Sequence, residues 1–363
     1  MTSAAAHPAA DPSHSLARIW AAHLLSFVLP VACIAFLATA PHPTATSLPW
    51  ILVLVGSVLL DVRSRPEQRQ PPATLAGWPF DGVLYLLVGF QLGIVALLVR
   101  MVAAGGFWRA DTLVAYLLVG VNSGYSAIVV AHELIHRRER RFQWLGRLLL
   151  CTVLYEHFYT EHLRGHHVRV GTDDDPATAR FGETFLGFLL RTVPGQLRSA
   201  WRLEAKRLRT THLPWWHPRL VFRSRVAHGL VVEWVVAVGI LAVAGPGAFA
   251  LYVLQAALAV ELLEAVNYME HWGLVRDGRR VATVDSWDTD SAFTLYTLVG
   301  LSRHADHHAH PTRPYQALRF FDDSPKLPAG YFGTVVLLLV WNARFRELMT
   351  AELHHRRLGP FAA

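Results

Sequence analysis

The chain has 363 residues, of which 53% are hydrophobic and 17% are charged. Because the apolar residues occur in long runs, this composition is typical of a polytopic membrane protein and excludes an ordinary soluble domain. The net charge of +7 would suggest nucleic acid in a soluble protein, but in a membrane protein it indicates loops that face anionic lipid, and we expect no nucleic-acid partner.

The N-terminal residues 1–15 are small and polar and include proline, which predicts a disordered tail. Six apolar stretches follow that are long enough, or nearly so, to cross a bilayer. We place them at about 16–40, 47–62, 80–104, 111–131, 226–245 and 248–268. Residues 16–345 are therefore predicted to form one all-α membrane domain with about six transmembrane helices, and residues 346–363 a basic C-terminal tail.

Arginine is concentrated in the loop at 63–69 and in the long segment 137–225, whereas the loops at 41–46 and 105–110 contain one arginine between them. The positive-inside rule therefore predicts that both arginine-rich segments and both termini lie in the cytoplasm. Every histidine cluster described below then falls on the cytoplasmic side.

Three further helical segments and two glycine spacings are predicted from the same pattern. Residues 142–160 and 182–193 are each predicted to form an amphipathic or re-entrant helix, and residues 196–210 a helix at the membrane interface. The spacings Gly89/Gly93 and Gly120/Gly124 predict close packing between spanning helices.

Four histidine clusters follow the predicted spans: HELIH at 132–136, EHLRGHH at 161–167, NYMEHWG at 267–273 and LSRHADHHAHPTRPYQ at 301–316. Two histidines four residues apart lie one turn apart on the same face of a helix, so both rings can reach one metal ion. The nine candidate metal ligands are His132, His136, His162, His166, His167, His271, His304, His307 and His308. Nine imidazoles are too many for one ion and suit two, and imidazole favours iron, zinc or copper over calcium or magnesium.

A metal-bound histidine usually donates its other ring proton to a carboxylate or a carbonyl group. The residues that we expect in such a supporting role are Glu133, Glu161, Glu264, Glu270, Asp306, His157 and His310. Which carboxylate serves which ring stays open, because adjacent residues on a helix point apart. We predict no catalytic residue beyond the metal ligands.

Two other interpretations compete. The HELIH cluster alone matches the zinc-protease signature, with Glu133 as general base, but a protease leaves six histidines unexplained. A His-lined metal transporter would need its ionisable groups at the middle of the membrane, whereas these lie at or beyond the ends of the spans.

The four clusters, with DDDPATARFGE at 173–183 and FFDDSPKLPAGY at 320–331, resemble the histidine boxes of the integral-membrane alkane 1-monooxygenases. These enzymes are a branch of the membrane fatty-acid desaturase and hydroxylase superfamily. The resemblance covers about residues 110–345. It implies a bacterial inner-membrane protein whose cytoplasmic di-iron site, ligated by the nine histidines, uses dioxygen to hydroxylate the terminal methyl of an alkane.

The sequence departs from the family pattern at three places. Trp272 stands where the family usually has tyrosine, residues 168–173 differ from the usual run after the double histidine, and the loop at 63–69 is basic rather than acidic. None of these changes a candidate ligand, but they leave the substrate open. A fatty acid or an aromatic methyl group is the alternative, for a hydroxylase, a desaturase or an alkene-forming decarboxylase.

A fatty-acid substrate would need a cation, and Arg164, Arg169 or Arg303 are the candidates to hold its carboxylate. Cys33 and Cys151 are too few for an iron–sulfur cluster, and no dinucleotide fingerprint is present. We therefore expect electrons from a rubredoxin-type protein with its NAD(P)H-dependent reductase, attracted by the basic face. The other expected partners are membrane lipid and an apolar small-molecule substrate.

Overall fold

The structure is a computed structural model that describes residues 16–72, 75–278 and 280–362. Its regular elements are helices, and across these ranges the only extended pairing is two isolated bridges. The predicted all-α fold class is therefore confirmed. The predicted tail at 1–15 lies outside the described residues.

Long helices and several short ones position the site. In chain order they are α1 (Leu16–Thr39), α2 (Thr44–Val62), α3 (Trp78–Gly105), α4 (Ala110–His136), α5 (Arg140–Cys151), α6 (Phe185–Arg207), α7 (Arg225–His271), α8 (Ala292–Thr297), α9 (His304–Ala309), α10 (Tyr331–Val340) and α11 (Asn342–Arg356). Within the described ranges, five of them are long and apolar enough to cross a membrane, namely α1, α2, α3, α4 and α7.

Helix α7 is broken at Gly245, where φ is +82° and ψ is 176°. Only glycine adopts this backbone conformation without strain. The stretches on either side both contact the segment after α5: Glu156 N donates to the Glu233 carboxylate before the break, and Tyr155 Oη donates to Glu264 after it. Helix α7 thus folds back on itself between the fifth and sixth predicted spans, while the count of six spans stays a prediction.

Helices α4 and α7 pack closely at two glycines. A Cβ at Gly120 would lie 2.5 Å from Leu258 Cδ2, and one at Gly124 would lie 3.4 Å from Leu262 Cβ. The predicted close packing is confirmed here. The prediction is wrong for Gly89 and Gly93 in α3. A Cβ added at either glycine would have no described heavy atom outside that helix within 4 Å.

The segment between α4 and α7 is predicted to contain three separate helices, and the structure differs in two places. The first helix ends at Cys151 rather than continuing to 160, because Leu154 has a φ of 54°. The other two form the single helix α6, which begins after Thr184, whose side chain accepts a hydrogen bond from Gly187 N. Pro194 lies inside α6 and removes one backbone hydrogen bond without ending the helix.

The region predicted as a basic C-terminal tail contains most of helix α11. Helix α11 buries Phe345, Met349 and Leu353, which recur every four residues and so form one apolar stripe. The Phe345 ring lies 5.5 Å from the Tyr268 ring of α7, so α11 belongs to the same core as the end of α7.

Candidate metal centre

The four histidine clusters meet at one end of the helical bundle, where all nine predicted ligands lie. Eight are buried, and His167 is half-buried. The first group comprises His132, His136, His162, His167 and His307, each with one ring nitrogen within 4.8 Å of those of the others. Two further groups meet the same criterion and share His271. They are His166 with His271 and His308, and Glu270 with His271 and His304; because they share His271, we treat them together as the second group.

The nitrogens of the first group converge on one point. His162 Nε2 lies 3.0 Å from both His136 Nε2 and His167 Nε2, and His167 Nε2 lies 3.1 Å from His307 Nε2. Two imidazoles at right angles around a first-row ion, each at roughly 2.1 Å from it, have nitrogens ~3 Å apart. The spacing therefore fits an ion held by these rings.

In the second group, the sign of a metal site is that several buried ring nitrogens lack a hydrogen-bond partner. Neither ring nitrogen of His308 has a hydrogen-bond partner among the described residues, and the ring of His271 has none there other than the Asp285 backbone. His304 Nε2 lies 3.1 Å from Glu270 Oε2 without hydrogen-bond geometry, as two ligands of one ion do. Buried polar atoms are normally hydrogen-bonded, so these orphaned atoms also fit a bound metal ion.

Local helix geometry distributes the rings between the groups. His132 and His136 lie one α-helical turn apart at the end of α4. Residues His162–His166 form a π-helical turn, in which backbone hydrogen bonds join residues five apart rather than four, and His167 rather than His166 joins His162 in the first group. His166 consequently points to the second group, and its ring centroid lies 4.8 Å from that of His271.

The tautomer of His166 is set by a residue that the sequence did not single out. His166 Nδ1 donates to Asp175 Oδ2 at 2.8 Å, and Thr178 Oγ1 donates to the same oxygen at 2.6 Å. This leaves His166 Nε2 free to ligate. Asp175 belongs to the quoted DDDPATARFGE run, but nothing local distinguishes it from the two aspartates before it.

Burial favours the neutral form of five of the site histidines outside the spans. It lowers the pKa of His162, His167, His304, His307 and His308 well below the usual value, and charge on neighbouring rings lowers it further. Burial alone would raise the pKa of Asp175, but His166 and Thr178 together hold it below its usual value. Neutral imidazole is the form that binds a metal.

Among the predicted supporting carboxylates, Glu270 is placed against a ring, and it also accepts a hydrogen bond from Tyr331 Oη at 2.6 Å. The others contact different partners. Glu133 pairs with Arg137, Glu161 with Arg169, Asp306 with Arg313 and His310, and Glu264 with Tyr155, Thr192, Gln196 and Asn267. Adjacent residues on a helix point in different directions, so a carboxylate next to a candidate ligand in sequence does not reach the ring of that ligand.

The two predicted supporting histidines lie at different depths. His310 is 49% exposed in its side chain and donates to Asp306 rather than touching the clustered rings. His157 is buried, neither of its ring nitrogens has a hydrogen-bond partner among the described residues, and its ring lies 4.3 Å from that of Tyr155.

An apolar cavity of about 320 Å³ ends on the histidines. Its inner end is formed by His132, His162, His304, Glu270 and Asn267. Its walls include Leu54 and Val58 of α2, Leu117 and Val121 of α4, Leu258 and Leu262 of α7, and Val335 and Leu339 of α10. Four helices thus enclose a hydrophobic channel that leads to the candidate metal centre.

The chain is similar to known membrane oxygenases. The family model described as fatty acid desaturase matches residues 106–334. The chain is 41% identical over 324 residues to alkane 1-monooxygenase 1 of Pseudomonas aeruginosa, covering 83% of this chain and 82% of that protein. It is 33% identical over 305 residues to alkane 1-monooxygenase 1 of Alcanivorax borkumensis, covering 82% and 74%.

A more distant relative is the xylene/toluene monooxygenase hydroxylase component XylM of Pseudomonas putida, 26% identical over 259 residues, with 69% of this chain and 68% of that protein covered. These matches confirm the resemblance and overturn the protease and transporter interpretations. The chain belongs to the alkane 1-monooxygenase family and is an integral-membrane oxidoreductase with a fatty acid desaturase domain.

Proposed function

We propose that this protein hydroxylates the terminal methyl group of an alkane, R–CH3 + O2 + 2 e⁻ + 2 H⁺ giving R–CH2OH + H2O, at two iron ions held by the nine histidines. The observation that carries the proposal is the apolar cavity ending on His132, His162 and His304. A terminal C–H bond has no polar group on which an acid or base can act. Bound iron supplies the oxygen-activating chemistry, and the protein supplies a dry, oriented channel.

The protein's own residues have distinct tasks in this proposal. The first histidine group holds one ion, and His166, His271, His304 and His308 with Glu270 hold the other. Asp175 fixes the tautomer of His166. The cavity walls orient the chain of the substrate so that its end faces the histidines, and they exclude water because almost none of their surface is polar.

The cavity favours an alkane over a fatty acid. None of its described lining residues is lysine or arginine, so a carboxylate inside it would be unpaired. The three arginines considered for that role are engaged or lie elsewhere. Arg303 donates to the carbonyls of Leu318 and Arg69, Arg169 pairs with Glu161, and Arg164 is exposed. An aromatic methyl group is the second candidate, supported by the similarity to XylM.

The test is product analysis. Membranes containing the protein would be supplied with rubredoxin, its reductase, NADH and a mixture of alkanes, p-xylene and fatty acids. We expect primary alkanols, and we expect none from matched membranes carrying His136→Ala, which removes a member of the first group. Products derived solely from the aromatic or the fatty acid would overturn the alkane assignment in favour of that substrate.

The donor is proposed to be rubredoxin-type, acting at the cytoplasmic face of a bacterial inner membrane. Cys33 and Cys151 are both buried and unpaired, so the described structure offers no thiolate cluster for storing electrons. The arginine-rich segment 137–225 surrounds the second histidine cluster, and its charge complements a small acidic protein.

Orientation can be tested with two introduced cysteines. Thr44→Cys and Gln68→Cys both lie at exposed positions flanking α2, and the native Cys33 and Cys151 are buried, so they add little background labelling. With a membrane-impermeant thiol reagent on intact cells, we expect labelling at position 44 and at position 68 only after permeabilisation. The reverse pattern would place the metal centre on the side away from a cytoplasmic donor.

A further inference from the structure

The geometry points to a hydroxyl-binding position at the inner end of the cavity, formed by Asn267 with Glu264 behind it, whose ligand is a primary alcohol. The inference rests on the proposed function, because a primary alcohol is the proposed product. It assigns a role to the side-chain amide of Asn267, with which an alkane cannot form a hydrogen bond.

Glu264 is fully buried and accepts four hydrogen bonds. Tyr155 Oη at 3.0 Å and Gln196 Nε2 at 2.8 Å donate to Oε1. Thr192 Oγ1 at 3.3 Å and Asn267 Nδ2 at 3.1 Å donate to Oε2. The carboxyl group is thus held by side chains from three separate segments, and it cannot rotate without breaking several of these bonds.

This arrangement fixes the orientation of the Asn267 amide. Asn267 Nδ2 lies 3.1 Å from Glu264 Oε2, an oxygen that also accepts a hydrogen bond from Thr192 Oγ1, so the NH2 group of Asn267 is the end of the amide that faces Glu264. The Asn267 Oδ1 atom is left without a hydrogen bond to any described residue, and Asn267, which is 5% exposed, lines the cavity beside Glu270 and His304. Asn267 Oδ1 can therefore accept a hydrogen bond from a ligand in the cavity.

An alkane offers nothing to this acceptor, and an unpaired carbonyl oxygen in an apolar cavity is unfavourable. A hydroxyl group on the carbon nearest the metal centre would satisfy it. Asn267 lies one helical turn before Glu270 and His271, the distance over which side chains on one helix are neighbours. The end of the substrate that gains oxygen is thus the end that meets Asn267, and this residue distinguishes alkanol from alkane.

The first test is binding to the full-length, iron-loaded protein in detergent, measured by titration calorimetry with 1-octanol and with octane. Asn267→Leu removes the acceptor and keeps a side chain of similar size. We expect its affinity for 1-octanol to fall roughly fivefold, the value of one neutral hydrogen bond, and its affinity for octane to be unchanged. Octane is the internal control for a general change in the cavity.

The second test reverses the polarity of the amide. Glu264→Gln keeps an oxygen toward Tyr155 and Gln196 and turns an NH2 group toward Asn267, so the Asn267 amide flips and presents its NH2 group to the cavity. Wild type should bind 1-octanol more tightly than 1-methoxyheptane, because the ether can accept a hydrogen bond but cannot donate one. Glu264→Gln should reduce or invert that preference. If Glu264 had only a structural role, Glu264→Gln would lower the affinities for 1-octanol and 1-methoxyheptane equally.

The outcomes separate this inference from the proposed function. Equal 1-octanol affinity in wild type and Asn267→Leu, or an unchanged ligand preference in Glu264→Gln, would overturn the hydroxyl-binding position even if alkanes are hydroxylated. Failure of wild-type membranes to hydroxylate any alkane would overturn the function, whatever the calorimetry shows.

Discussion

His271→Ala is expected to abolish hydroxylation, by more than about 100-fold, and to lower iron from two ions to one per chain. His271 is shared between both clusters of the second group, with His166 and His308 on one side and Glu270 and His304 on the other, so its loss leaves the second ion poorly held. Losing a group that merely supports a ligand typically costs 10–100-fold, and losing the ligand itself should cost more. Elemental analysis and product assays measure both effects.

The protein should remain folded and inserted, because His271 is the last residue of α7 and the alanine loses at most one contact between the ring and the Asp285 backbone. His228→Ala is the matched control in the same helix: His228 is exposed, bonds only the Phe222 carbonyl, and should keep full iron and activity. Near wild-type hydroxylation with full iron in His271→Ala would remove this residue from the ligand set. One zinc per wild-type chain and no iron would sink the di-iron centre.

Gly165→Ala is expected to lower both the free energy of unfolding and the iron content. Gly165 lies in the π-helical turn between His162 and His166, and a Cβ there would collide with the Glu161 carboxylate and lie 2.5 Å from Arg169 Nη2. The two groups form an ion pair at 2.7 Å, and Glu161 is completely buried. Either this pair breaks or the turn moves and displaces both histidines.

Breaking a buried ion pair costs roughly 3–5 kcal/mol, and we expect about 3 kcal/mol because Arg169 is 27% exposed. Thermal unfolding in detergent and iron analysis measure the two effects. Gly93→Ala in α3 is the control, since no described heavy atom outside its helix lies within 4 Å of the added Cβ. If Gly165→Ala unfolds at the wild-type temperature and keeps two irons, the close contact with Glu161 has no structural importance.

The sequence was sufficient to find the histidines of the candidate site, because their spacing is a local property. The pair His132 and His136 lies one turn apart in any α-helix, and its position after a span follows from the apolar pattern. The assignment of rings to the two groups was not accessible. It depends on the π-helical turn at His162–His166, and no residue in EHLRGHH signals a π rather than an α hydrogen-bond pattern.

The supporting residues were predicted less well, because neighbours in sequence were taken as neighbours in space. Glu133 and Glu161 adjoin candidate ligands in the chain but pair with arginines, whereas Asp175 reaches His166 from nine positions away. The burial of one face of the C-terminal helix α11 also depends on residues that are distant in sequence. Its stripe of Phe345, Met349 and Leu353 is short and interrupted by charge, and it becomes a buried face through packing against the end of α7, where Tyr268 contacts Phe345.

The cavity walls include residues of α2 and α10, whose other faces expose apolar residues such as Leu52 and Val340. In a membrane these faces contact hydrocarbon, so an alkane passes from one apolar medium into another. That transfer releases little of the roughly 25 cal/mol per Å² that drives binding from water. Occupancy then depends on the mole fraction of alkane dissolved in the bilayer, and selection among hydrocarbons depends on shape. A Michaelis constant expressed as an aqueous concentration would therefore combine a partition coefficient with a weak dissociation constant.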